Sequence, residues 1–144
     1  MDAIDHIFSS LTDSRTDELP TIACLYTGDN IPSSCAPMPR RPEPAAGMLL
    51  DDNFRIILAQ TIAQNPAVHD GAVMIGRQRE GDVYRIIGWS YRLFPPPVDA
   101  LVQPNRGSAF NSCIAMSLVS QVDRVYLFSK AEMLRFEQGQ TSRL

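Results

Sequence analysis

The stretch from residue 66 to residue 76 constrains the fold of this 144-residue chain more than any other. It places His69 and Asp70 side by side, adds Gly71, and continues into an apolar run that is typical of a buried strand. Asp-Gly favours a tight turn, and a glycine without a Cβ lets a ligand or another backbone approach closely. Two interpretations follow: a plain turn that enters a core strand, or the corner of a nucleotide or metal site.

Composition indicates one soluble globular domain. Hydrophobic residues make up 44% of the chain and charged residues 20%, and the net charge of −3 provides no basic field for nucleic acid. The three cysteines are an odd number without CxxC spacing, which argues against a disulfide framework or a zinc site. The sequence shows no secretory signal and no apolar run as long as a membrane span, so we expect a cytoplasmic protein without a membrane partner.

Apolar periodicity predicts an α/β fold, a single domain with a mixed central β-sheet flanked by helices. The predicted helices are 2–11, 51–65 and 109–120, the last with Ser108 as N-cap. The predicted strands are 21–26, 72–77, 83–91 and 125–129, with a hairpin turn at 79–82 between the second and the third. A weaker strand or helical turn is predicted at 132–136. A polar connection at 14–18 is closed by Pro20, and the polar tail at 139–144 is expected to fray.

These predictions divide the one domain, 1–144, into three parts. Residues 1–20 are an N-terminal helix and its connection, 31–47 a proline-rich loop, and 48–139 the core. The loop holds five prolines, so it is expected to be extended and to run over the surface. Its Arg40 and Arg41 could reach a phosphate if the loop folds over a site; the alternative is a solvated loop without a ligand.

The start of the third predicted helix is a candidate anion site, because the first turn of a helix offers free backbone amides. The alternative is ordinary helix capping. The residues that would offer amides, hydroxyls or charge to an anion are Arg106, Gly107, Ser108, Asn111 and Ser112.

Taken in order, these features resemble the diadenylate cyclase (DAC) domain of bacterial cyclic di-AMP synthases and of the DNA-integrity-scanning protein. The resemblance covers residues 51–139. His-Asp-Gly-Ala-Val at 69–73 is similar to the family's Asp-Gly-Ala corner with its preceding His, and Tyr-x-Leu-x-Pro at 91–95 is similar to the family's Tyr-Leu-Pro-Leu-Ser segment. The helix at 108–120 and the strand ending in Ser129 follow in the family's order. A DAC-like fold is therefore expected.

The resemblance also implies a site. In the family two domains face each other, each holding one ATP, and each ribose 3′-hydroxyl attacks the α-phosphate of the other ATP. By resemblance Asp70 would activate or orient that hydroxyl and, with His69, contact a divalent metal, Mg²⁺ or Mn²⁺. The resemblance places Tyr91 and Leu93 near the adenine. The other positions it places along the nucleotide are Gly71, Ala72 and Ser129.

The chain departs from the family where the phosphates are held. Active members carry Gly-Thr-Arg-His-Arg before the last helix, whereas this chain has Gly-Ser-Ala-Phe-Asn at 107–111. Only Arg106 stands nearby as a candidate cation. Loss of two guanidinium contacts to a triphosphate would remove several kcal/mol of transition-state stabilisation. Lys130 and Ala131, not two glutamates, follow Ser129.

Three functions remain open. The favoured one is a degenerate DAC-like domain that binds an adenine nucleotide or a cyclic dinucleotide as a sensor or regulatory module, without cyclising ATP. The second is an active, metal-dependent diadenylate cyclase in which Arg106, or Arg40 and Arg41, replaces the lost cations. The third is a protein-interaction or assembly domain with a vestigial pocket. A homodimer is expected in each.

Overall fold

The computed structural model describes residues 1–11, 21–129 and 132–144. The predicted connection at 14–18 with Pro20, and the pair Lys130-Ala131, lie outside the described residues. The described residues form a seven-stranded mixed sheet with helices on both faces, which confirms the predicted α/β fold class. The strands are β1 (Thr21–Thr27), β2 (Cys35–Pro37), β3 (Ala72–Arg77), β4 (Arg85–Leu93), β5 (Val122–Phe128), β6 (Met133–Glu137) and β7 (Gln140–Arg143).

The sheet order is β2-β4-β3-β1-β5-β6-β7. β1 and β3 pair in parallel in the centre, and the remaining neighbours pair antiparallel. β1 and β3 are almost entirely buried, as expected for central strands covered on both faces. The predicted hairpin joins β3 to β4, with the amide of Asp82 donating to the carbonyl of Arg79 at 3.1 Å.

The helices are α1 (Ala3–Ser9), α2 (Phe54–Gln64) and α3 (Gly107–Met116), with 3₁₀ turns at Pro66–His69 and Asp99–Leu101. α1 and α2 cover one face of the sheet, where Phe8 stacks on Tyr126 with ring centroids 4.3 Å apart. α3 covers the other face, where Phe110 meets Phe136 edge-on at 5.1 Å. Alternate side chains of β1 pack into the cores on the two faces of the sheet. A shift of the strand register by one residue would therefore move each side chain to the opposite face.

α1 is fixed to the sheet by a buried carboxylate. The side chain of Asp5 is 1% exposed. Its Oδ1 accepts the hydroxyl of Tyr126 at 2.6 Å, and its Oδ2 accepts Nη1 of Arg135 at 2.8 Å. Asp5 also closes a capping box with Asp2. Because a buried charge is tolerated only when it is paired, this cluster specifies where the N-terminal helix docks.

Three local predictions are wrong. Residues 140–143 do not fray but form β7, which pairs with β6. Ser108 is not the N-cap of α3, since the helix already begins at Gly107 and Arg106 occupies the cap without a side-chain hydrogen bond. β4 continues to Leu93 rather than ending at 91, because β2, a strand inside the proline-rich segment, pairs with this extension.

Candidate functional site

The Asp-Gly corner lies where the chain enters β3. Gly71 has φ +89°, and a Cβ added there would lie 2.8 Å from the carbonyl oxygen of Tyr91 and 2.9 Å from the carbonyl carbon of Ser90. Both neighbours are backbone atoms, which cannot move aside cheaply. Gly71 therefore lets the two strands close on each other at this point, as the sequence predicted for a close approach.

Ser90 holds the corner together from β4. It is fully buried and has φ +61°, a rare conformation for a residue other than glycine, at an irregularity in the β3–β4 pairing. Its hydroxyl donates to the carbonyl of Asp70 at 2.5 Å and accepts Nε of Arg40 at 2.9 Å, while its carbonyl accepts the amide of Met38. Ser90 thus joins the Asp70 turn to the proline-rich segment.

Arg40 is the basic residue that meets the Asp70 carboxylate. Its Nη2 lies 3.4 Å from Asp70 Oδ2, and the carboxylate is 68% exposed. An exposed pair of this kind contributes little to stability. The guanidinium is nevertheless fixed in place by Ser90 Oγ, so a defined positive charge stands beside the acid at the mouth of β3.

An open cleft of ≈ 350 Å³ lies over this corner. It brings together seven residues that the sequence singled out: Asp70, Gly71, Ala72, Tyr91, Leu93, Ser108 and Ser112. Sequence reasoning missed four more lining residues, namely Ile22, Met38, Arg92 and Ala109. Arg92 adds a second positive charge. Only its position between Tyr91 and Leu93 could have indicated it.

Arg106 lies outside the lining of this cleft. Its Nη2 donates to Glu132 at 2.7 Å, and its guanidinium lies 4.4 Å from the ring centre of Phe110. Glu132 also accepts Arg143, and these two arginines hold the pKa of the Glu132 carboxyl below its ordinary value, Arg143 having the larger effect. Arg106 is therefore committed to an ion-pair cluster that ties the start of α3 to β7.

Besides Arg106, four predicted site residues do not line this cleft: His69, Gly107, Asn111 and Ser129. Ser129 donates both its amide and its hydroxyl to the carbonyl of Glu132, so it closes the turn after β5. Gly107 begins α3 with φ +86°. The Asn111 side chain accepts the amide of Gln103 at 2.9 Å and donates to the carbonyl of Gln103 at 3.1 Å. Asn111 also lines an adjoining cleft of ≈ 280 Å³, which shares Leu93, Ser108 and Ser112 with the first.

A divalent metal does not fit this corner as it is built. Nδ1 of His69 faces the carbonyl of Pro66 within its own 3₁₀ turn. Asp70 already carries the Arg40 guanidinium, which would repel a dication on the same oxygen. Within residues 1–11, 21–129 and 132–144, no three His, Cys, Asp or Glu side chains are grouped so that they could hold a metal ion.

A larger cleft, of ≈ 590 Å³, adjoins the first at Met38 and Tyr91. It lies under the segment 38–46 and against β4, where Ile87, Gly88 and Trp89 line it. A Cβ on Gly88 would overlap the ring of Tyr91, with only 2.4 Å to Cε1. The missing side chain therefore allows the Tyr91 ring to lie across the strand, between the two clefts.

No family model matches the sequence, and no curated protein matches it. Several solved structures are similar, including the following two. A hypothetical membrane spanning protein from Bacillus cereus aligns with a TM-score of 0.62 at 15% identity, covering 99% of this chain and 59% of its own. A double mutant of DacA from Staphylococcus aureus aligns with a TM-score of 0.61 at 12% identity, covering 98% of this chain and 85% of its own.

These likenesses support a DAC-like fold over nearly the whole chain, in agreement with the resemblance drawn from the Asp-Gly-Ala corner. At such low identity they concern the fold alone. This chain spans only 59% of the length of the Bacillus cereus chain. Each helix in the described parts of the chain is too short or too polar to be a membrane span.

Proposed function

We propose that this protein is a DAC-like domain that binds an adenine nucleotide or a cyclic dinucleotide as a sensor or regulatory module, and that it does not cyclise ATP. The observation that carries the proposal is the cleft at the mouth of β3. Residues from three separate parts of the chain, chosen from the sequence for a nucleotide, line this one cavity.

The lining suits an adenosine with few phosphates. The side chains of Tyr91, Leu93, Met38 and Ile22 offer aromatic and aliphatic contact to a base, while Ser108 and Ser112 offer hydroxyls from α3. Arg92 and the neighbouring Arg40 supply two positive charges. Two guanidinium groups match one or two phosphate groups better than the triphosphate and departing pyrophosphate of a cyclase reaction.

The arrangement of cations argues against cyclase chemistry. Phosphoryl transfer depends on positive charge fixed around the reacting phosphate, supplied by a metal and by arginines. Arg106 lies outside the cleft and pairs with Glu132, whereas Arg40, which pairs with Asp70, lies beside the cleft. What favours the active cyclase instead is the position of Arg40, which could replace one of the lost cations.

A thermal-shift panel tests the proposal, because a ligand that binds only the folded state must raise the melting temperature. We expect AMP or cyclic di-AMP to raise it and Ser108→Trp, which fills the cleft from an exposed position on α3, to abolish the rise. Ser142→Trp, on exposed β7, is the matched control and should retain it. If no nucleotide shifts the wild-type protein, the sensor proposal is wrong and an interaction domain is favoured.

Incubation with ATP and Mn²⁺, followed by chromatography, separates the sensor from the cyclase. We expect ATP to remain unchanged. A cyclic dinucleotide product would show that the chain is an active enzyme, and its loss in Arg40→Met would identify Arg40 as the replacement cation.

A further inference from the structure

The larger cleft exists because one segment leaves the sheet and returns to it. β2 pairs with the end of β4, with Pro37 opposite Tyr91. The chain comes back to the same strand at residues 47 and 48, where the amide of Gly47 donates to Ile86 at 2.7 Å and the amide of Ile86 to Met48 at 2.8 Å. Between these points residues 38–46 form an arch over the middle of β4.

The arch is tied down along its length. Nε1 of Trp89 donates to the carbonyl of Ala45 at 2.8 Å, and Nδ2 of Asn65 donates to the carbonyl of Arg41 at 3.2 Å. Near one end Arg40 bonds Ser90 Oγ at 2.9 Å, and at the other Arg85 bonds the carbonyl of Gly47 at 2.9 Å. Side-chain hydrogen bonds from β4 and from the end of α2 therefore hold the space beneath the arch open, as in preformed binding clefts.

The cleft beneath the arch (the arch cleft) and the cleft at the mouth of β3 (the nucleotide cleft) adjoin each other. Met38 and Tyr91 line both, and Arg40 lines the arch cleft while its guanidinium contacts Asp70 in the other. The Tyr91 hydroxyl is uncharged at pH 7, and burial raises its pKa further. The junction between the clefts thus presents the Arg40 guanidinium, paired with Asp70, and one uncharged aromatic ring.

The chemistry of the arch cleft matches that of the nucleotide cleft. It offers apolar surface from Ile87, Trp89 and Pro44, a second guanidinium from Arg41, and one carboxylate from Glu43. Bases bind to apolar and aromatic surface, and phosphates to guanidinium groups. Each cleft therefore offers apolar surface for a base, and Arg40 lies between the two clefts, where a phosphate could bind.

We propose that the ligand of this domain is a dinucleotide held within a single chain. One base occupies the nucleotide cleft, the internucleotide phosphate lies at Arg40, and the second base lies beneath the arch. This inference rests on the proposed function, since it takes the first base site from it. It adds a second base site on the same chain and assigns the phosphate to Arg40.

The test compares AMP with linear diadenylate, pApA, by isothermal titration calorimetry. Because the second base binds intramolecularly, wild-type protein should bind pApA roughly tenfold or more tighter than AMP. Ala46→Trp, which fills the arch cleft from an exposed position, should remove this advantage and leave AMP affinity unchanged. Ala45→Trp is the matched control, because Ala45 is exposed but does not line the cleft.

A second variant tests the same cleft without a change in the arch segment, because a tryptophan at position 46 could alter the conformation of the arch. Ile87→Asp places a negative charge in the cleft and should also weaken pApA selectively, whereas Val83→Asp, exposed before β4, should not. Equal affinities of wild-type protein for AMP and pApA, or equal losses for both ligands in Ala46→Trp, would overturn the second base site while leaving the proposed function intact. Absence of binding by both ligands would overturn the second base site, and it would overturn the proposed function as well if cyclic di-AMP also left the melting temperature unchanged.

Discussion

Arg40 Nη2 lies 3.4 Å from Asp70 Oδ2, although thirty positions separate the two residues in the chain. Ser90 fixes the pair: its hydroxyl accepts Arg40 Nε and donates to the backbone of Asp70. The resemblance assigned Asp70 to metal binding, but its carboxylate faces the Arg40 guanidinium instead.

Nucleotide binding should be independent of divalent metal. A guanidinium already occupies one side of the Asp70 carboxylate, so AMP affinity measured by calorimetry should be the same in EDTA and in MnCl₂. Arg40→Met should weaken binding about 10- to 100-fold, since a hydrogen bond to a charged group contributes about 1.5–3 kcal/mol. Arg55→Met, on the exposed side of α2, is the matched control. Binding that requires Mn²⁺ in the wild-type protein would contradict this assignment.

Gly71→Ala should destabilise the fold by about 2–4 kcal/mol, because it combines a strained positive φ with overlap against the backbone of Ser90 and Tyr91. Gly81→Ala separates the two effects. Gly81 has a similar φ, +91°, but nothing lies within 4 Å of its added Cβ, so it should lose only about 1 kcal/mol. Urea denaturation of both variants measures the difference. Equal losses of unfolding free energy in the two variants would show that a Cβ at position 71 does not overlap the backbone of Ser90 and Tyr91.

Asp5→Ala should destabilise the protein by about 3–5 kcal/mol, since it leaves Arg135 and the Tyr126 hydroxyl without their buried partner. Asp29→Ala, exposed after β1, should change stability by less than about 0.5 kcal/mol. Thermal unfolding followed by circular dichroism distinguishes the two. A small effect at Asp5 would show that α1 is not held by this cluster.

The Glu132 cluster should make stability depend on pH. Arg143 and Arg106 lower the pKa of this carboxyl in the folded state, so its contribution is complete above the unfolded pKa, about 4.3, and disappears as pH falls through the lower folded value. The difference in unfolding free energy between wild type and Glu132→Gln should therefore be constant at neutral pH and shrink below about pH 4. Glu80→Gln, in the exposed hairpin turn, controls for loss of one negative charge. A difference that persists undiminished at low pH would exclude the ion pairs as its source.

Local sequence patterns predicted the centre of this fold well. The apolar run after Gly71 predicted β3, and Arg-Glu-Gly-Asp at 79–82 predicted the hairpin turn between β3 and β4. Each depends on neighbours within a few residues, where periodicity and turn chemistry act directly.

What the sequence missed depends on contacts between distant residues. β7 is a polar edge strand with both faces exposed, so it carries no apolar pattern, and only the Gln138-Gly139 turn, with both residues at positive φ, could have indicated a hairpin. The Arg40–Asp70 pair arises from the return of a proline-rich segment to β4. The positive φ of Ser90 arises from an irregular strand pairing, which composition cannot indicate.

The most direct measurement of the central claim is equilibrium dialysis of the wild-type protein against labelled AMP and labelled cyclic di-AMP in EDTA, with Ser108→Trp dialysed in parallel. The account predicts saturable binding of at least one of the two nucleotides by the wild-type protein and its loss in Ser108→Trp. Absence of binding to the wild-type protein, or binding that Ser108→Trp leaves unchanged, would contradict a nucleotide site at the mouth of β3.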